Sequence, residues 1–127
     1  MIGLILLIVS TILKMALSPI LYTYGIIFSL IKGKFSEYNR NLAIGKDQYG
    51  NALGKYLFNH TLITEWSNNY FGNIDETISS VIGKNKRDGT LTKTGRVLDK
   101  ILDKIDRNHS IRSIDENVHQ LTKTIKK

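Results

Sequence analysis

The sequence predicts an all-α protein in which an N-terminal transmembrane helix, kinked or preceded by an interfacial segment, is followed by a small helical domain. Three observations carry that expectation. The first 31 residues hold one charged side chain, Lys14, while all eleven acidic residues and the other basic ones lie beyond them. Apolar positions after Phe35 recur at spacings of three, four and seven, the period of an amphipathic helix. No stretch alternates with the period of a strand.

Residues 2–13 and 15–31 are apolar runs on either side of Lys14. A spanning helix needs about 20 mostly apolar residues, and the whole stretch as one helix exceeds a hydrocarbon core of about 30 Å. The excess is relieved by a tilted helix kinked at Pro19, or by a span over 15–31 with the first run in the interface. A charge at the bilayer centre costs about 3 kcal/mol, so Lys14 is expected in a headgroup layer. Lys32, Lys34 and Arg40 follow the run and suit anionic headgroups. The positive-inside rule then places the N-terminus outside and the domain in the cytoplasm. A signal peptide would begin with a basic segment, which Met1-Ile2-Gly3 lacks; a buried core helix is the other alternative.

Phe35, Tyr38, Leu42, Tyr49, Leu53, Tyr56 and Leu57 predict an amphipathic helix over about 36–58. Gly45, Gly50 and Gly54 each cost about 1 kcal/mol there relative to Ala, which predicts a break near 45–50 or a close helix contact. Residues 59–71, with Trp66, Tyr70 and Phe71 among Asn and Ser, read as a loop anchored by aromatics to the core or the membrane interface. Asn73 with Glu76 reads as a capping box opening a short helix through Ile78, Val81 and Ile82, closed by Gly83. Residues 84–89 read as a basic turn. A helix from Thr90 to about Arg107 is expected to bury Leu91, Leu98, Ile101, Leu102 and Ile105. Ser113 to Glu116 reads as the cap of a terminal helix carrying Ile114, Val118, Leu121 and Ile125. The organisation expected is a membrane segment over 1–32, a helical domain over 33–112 and a basic C-terminal helix or tail over 113–127.

At 127 residues the chain has room for one domain beside the membrane segment. The absence of cysteine excludes disulfides, thiolate zinc sites and cysteine nucleophiles. A formal charge of +7 favours an anionic partner such as lipid headgroups. The basic set Lys84, Lys86, Arg87, Lys93 and Arg96 would also suit nucleic acid, without any specific motif for it.

Asp99, Asp103, Asp106 and His109 fall in one helical row. Asp103, Asp106 and His109 are metal-ligand candidates, since carboxylates with an imidazole can hold magnesium, manganese or zinc, and an adjacent Asp could orient His109 as a general base. The ordinary alternative is a solvated flank eased by Lys100, Lys104 and Arg107. Asp75, Glu76, Thr77, Ser79 and Ser80 form the densest polar cluster. A helix start there could accept an anion, but its own carboxylates oppose phosphate, and no base for a Ser79 nucleophile is identifiable from spacing. Asp47 and Asn51, one turn apart, fit helix surface or interhelical hydrogen bonds. His60 and His119 lack partners at ligand spacing. P-loop, dinucleotide and common hydrolase motifs are missing.

Asn41-Leu42-Ala43-Ile44 with Asp47 and Asn51, then Asp75-Glu76-Thr77-Ile78-Ser79-Ser80 with Gly83, then Leu102-Asp103-Lys104-Ile105-Asp106 with His109, resemble a family of small tailed-bacteriophage and prophage proteins carrying a DETISS motif. Members often have a cysteine directly after the histidine, where this chain has Ser110. The resemblance implies a viral origin and a place at the host inner membrane, with no established activity or cofactor. Three functions are consistent with it. One is a non-enzymatic membrane protein, holin-like or an accessory of lysis or host takeover, that self-associates around Gly45, Gly50 and Gly54 or joins other phage or host membrane proteins. Another is a membrane-tethered enzyme or metal-binding protein in which Asp75, Glu76, Ser79, Asp103, Asp106 and His109 converge. The third is a tether for nucleic acid or a phage complex.

Overall fold

The computed structural model describes residues 1–118 and contains six helices among them, with no strand. The chain divides into two compact units, Met1–Leu42 and the part from Ala43 onward.

In the first unit α1 runs as one helix from Ile2 to Ile31, with Pro19 inside it. It is 30 residues long and apolar enough to cross a membrane. The side chains of its most apolar stretch are uncovered by protein. Gly33, at φ +67°, closes the helix in a Schellman turn, where its N–H donates to the Leu30 carbonyl and that of Lys34 to Ser29. α2, Phe35–Leu53, follows. Its Tyr38 ring covers the side of α1 left bare by Gly25 and lies 6.5 Å from the Tyr22 ring.

In the second unit the expected 36–58 helix is divided, but at Gly54 rather than at 45–50. α3 occupies Lys55–Thr61, and the Phe58 ring folds over the bare Gly54 backbone. The apolar stripe expected over 36–58 is not what binds these helices here: Tyr49 and Leu53 of α2 and Tyr56 and Leu57 of α3 are exposed, and Asp47 and Asn51 face inward. The loop beyond α3 places Tyr70 and Phe71 in the core and leaves Trp66 outside. Phe71 meets Phe58 edge to face at 5.3 Å. A single bridge pairs Ile63 with Leu91, so Thr64 N–H reaches the Thr90 carbonyl and Thr92 N–H that of Leu62.

α4 spans Ile78–Arg87, capped by Thr77, whose hydroxyl accepts from Ser80 N–H, and not by Asn73. Gly83 does not end it. It is bare because the Ser110 carbonyl of α6 packs where a Cβ would stand, and the left-handed terminator is Gly89 at φ +71°. The expected basic turn at 84–89 is therefore mostly the last turn of α4. α5, Lys93–Ile105, is capped by the Thr92 hydroxyl on Gly95 N–H, and Gly95 lets it approach the Leu62 carbonyl. Leu98 and Leu102 pack on the core, but Ile101 and Ile105, expected inside, point outward. Asn108, in the left-handed region at φ 57°, turns the chain into α6, His109–Arg112. Residues 113–118 are not helical, contrary to the expected cap at Ser113. Asp115 N–H instead donates to Ser80 Oγ. Leu121, Ile125 and His119 lie outside the described residues.

The core consists of Leu62, Ile63, Tyr70, Phe71, Val81, Ile82 and Leu91, backed by Phe58, Ile78, Leu98 and Leu102. Its apolar part is small, and buried polar side chains surround it.

Candidate functional site

The densest chemistry lies where α2, the 72–77 loop and α4 meet. One turn of α2 presents Asp47 and Asn51 to the start of α4. Asp47 Oδ1 accepts from Ile78 N–H at 2.9 Å, and Oδ2 accepts from the Ser79 hydroxyl at 3.0 Å. Asn51, fully buried, donates to the carbonyls of Asn73 and Glu76 and accepts from Gly72 N–H. Free N–H groups at a helix start attract an anion, and here the chain's own Asp47 carboxylate and Thr77 hydroxyl fill that role.

Behind this brace lies a buried ion pair. Lys84 Nζ is 2.6 Å from Glu76 Oε1, with side chains 2% and 1% exposed. The same carboxylate oxygen accepts from Ser80 Oγ at 2.6 Å, and Ser80 Oγ in turn accepts from Asp115 N–H. Glu76, in the loop just ahead of α4, and Ser80 and Lys84, one turn apart within it, follow one another at spacings of four. Asn85 continues this polar interior, donating to the carbonyls of Asn69 and Val81 and accepting from the hydroxyls of Ser67 and Thr90. Asn59 links α3 to the loop through both the N–H and the carbonyl of Phe71.

A second cluster joins α4, α5 and α6. Lys86 Nζ lies 2.9 Å from Asp99 and 3.0 Å from Asp103. Asp99 first, then Asp103, holds the Lys86 ammonium above its ordinary value against the opposing effect of burial. The other oxygen of Asp99 accepts from the buried Ser110 hydroxyl. Asp106 pairs with His109 Nδ1 at 3.0 Å and with Arg112, and the hydrogen bond from His109, then the nearby Arg112 guanidinium, lower its pKa. Arg87 joins Asp88 and Glu116. The Arg87 bond and then that of Asn69 hold Asp88 below the usual carboxylate range.

The acidic residues and His109 expected to converge therefore do not. Asp75 is exposed, Glu76 is sealed against Lys84, Ser79 bonds to Asp47, Asp103 belongs to Lys86, and Asp106 with His109 stands at the α5–α6 corner. Among the described residues, no three His, Asp or Glu side chains are placed to share a metal ion. Of the expected glycine row, Gly50 packs on Ile78 and Gly54 on Phe58, and Gly45 alone faces open space. The basic set divides as well: Lys84 is buried, while Lys86 and Arg87 are paired with carboxylates. Lys14, Lys32, Lys34 and Arg40 are all exposed.

Sequence reasoning missed Lys84, Ser80, Asn85 and Ser110 as interior residues. The four-residue spacing of Glu76, Ser80 and Lys84 was the available signal. The comparisons with protein-family models, with curated proteins and with solved structures find no match.

Proposed function

We propose that the chain is a single-pass membrane protein of phage type that acts at the host inner membrane without chemistry of its own, with its N-terminus outside and its helical module in the cytoplasm. The observation that carries this reading is α1, thirty residues long, with the side chains of its most apolar stretch left uncovered by protein. Lipid is the solvent such a surface suits. Lys32, Lys34 and Arg40 immediately after it support the inward orientation. Of the polar residues that could have served catalysis, Glu76, Ser79 and Asp103 are engaged in bracing the module. Because Gly50 and Gly54 contact their own chain, self-association of a holin-like or lysis-accessory kind runs along α1 rather than through those two glycines.

The test is induced expression in bacteria of the full chain beside residues 33–127, following culture density and membrane potential. Depolarisation or lysis by the full chain alone is the expected result. Normal growth with intact potential would remove the holin-like mechanism and leave the anchored module.

A further inference from the structure

The outward face of α5 carries two parallel stripes. Val97, Ile101 and Ile105, at spacings of four, are 58%, 50% and 79% exposed. Beside them Arg96, Lys100 and Lys104 form an exposed basic row at spacings of four. Among the described residues these three cations form no ion pair. The acidic residues of the helix are engaged by another element: Asp99 and Asp103 are both drawn to Lys86 of α4. The face is therefore apolar on one side and cationic on the other, with Asp103, 32% exposed at the edge of the basic row, neutralised by Lys86, while Gly95, Leu98 and Leu102 hold its opposite side against the module.

We infer that this face of α5 is a docking surface for an anionic lipid bilayer, with Val97, Ile101 and Ile105 entering the acyl boundary and Arg96, Lys100 and Lys104 meeting headgroup phosphates. An apolar ridge flanked by basic residues is the arrangement by which helices lie in a membrane interface. Nucleic acid suits the cations but not the three aliphatic side chains, because strand binding without sequence readout uses aromatic stacking and this face has no aromatic residue. The inference rests on the anchoring of α1. The module begins at Ala43, a dozen residues after α1 ends, so an inserted α1 keeps α5 at high effective concentration beside the bilayer.

The chain has no cysteine, so a single Ile101→Cys carrying a nitroxide reports on the face in the full-length protein. The protein is reconstituted in phosphatidylcholine vesicles and in vesicles containing phosphatidylglycerol, with a label at the exposed Asn68 as control. Collision with oxygen against a water-soluble nickel chelate measures immersion. Immersion of the Ile101 label in the anionic vesicles, lost in high salt, with Asn68 remaining wet, is the expected result. Each basic residue near an anionic surface favours the docked state about fivefold, so Lys100→Gln with Lys104→Gln lowers docking about 25-fold. An Ile101 label equally wet in both vesicles, in a chain that still floats with lipid, overturns the docking face alone. Protection that persists in detergent micelles assigns the face to a second copy, and protection requiring an added oligonucleotide assigns it to nucleic acid; either overturns the inference. Failure to float removes the anchor and the docking face together.

Discussion

Replacing Lys84 by Met tests whether the module depends on its buried ion pair. The substitution keeps an unbranched side chain of similar length and removes the charge 2.6 Å from Glu76. Glu76 would then be a carboxylate sealed from water with Ser80 Oγ as its remaining side-chain partner. Breaking one side of a buried pair costs about 3–5 kcal/mol, against a domain stability of about 5–15 kcal/mol. The assay is amide hydrogen exchange of the 78–87 peptide in the full chain, held in micelles. Since each 1.4 kcal/mol is about tenfold in an equilibrium constant, protection should fall by about two to three and a half powers of ten. The double variant Glu76→Gln with Lys84→Met removes both charges and keeps an acceptor for Ser80, so it should recover most of that loss. A loss below tenfold for Lys84→Met would falsify the reasoning, and so would a double variant no better than the single one.

Three other outcomes follow from the same structure. Asn51→Ala strands Gly72 N–H and the carbonyls of Asn73 and Glu76 and should destabilise the module by about 3 kcal/mol, read as a lowered denaturation midpoint; an unchanged midpoint would show that the α2 brace is dispensable. Gly83→Ala drives a methyl group into the Ser110 carbonyl and should cost about 1–3 kcal/mol, whereas Gly45→Ala, with open space around it, should add about 1 kcal/mol of helix stability; thermal unfolding of the pair distinguishes packing from propensity. Asp106 is held below its unfolded value by His109 and Arg112. Its contribution is therefore present above about pH 4 and lost as pH falls through the folded value. Exchange at residues 109–114 should rise on acidification below that point, and Asp106→Asn should flatten the dependence.

The helical class and the apolar α1 were legible because both are written in composition and period. Element edges were less so, and the reasons are specific. Gly83 looked like a terminator, because a glycine needed for close approach and one needed for positive φ are the same letter; the contact with Ser110 decides between them. Ile101 and Ile105 looked internal because their spacing with Leu98 and Leu102 continues an apolar stripe, while the face of α5 that enters the module is set by Gly95 and Asp99. Lys84 looked solvated because lysine usually is, although its spacing of four from Ser80 and of eight from Glu76 was there to be read. The polar residues singled out as candidate chemistry were the right residues to notice. Asp47, Asn51, Glu76 and Ser79 meet at one place, but what they hold there is the chain itself, through helix N–H groups, loop carbonyls and a lysine.

The anchor with an inward module is the central claim, and topology mapping tests it most directly. Because the chain lacks cysteine, single replacements Gly3→Cys and Asn68→Cys can be probed with a membrane-impermeant maleimide in intact spheroplasts and in inverted vesicles, after a carbonate wash. The account predicts that the protein stays with the membrane, that the Gly3 site reacts in spheroplasts, and that the Asn68 site reacts in inverted vesicles alone. Release by carbonate, or reaction of the Asn68 site in intact spheroplasts, would contradict it.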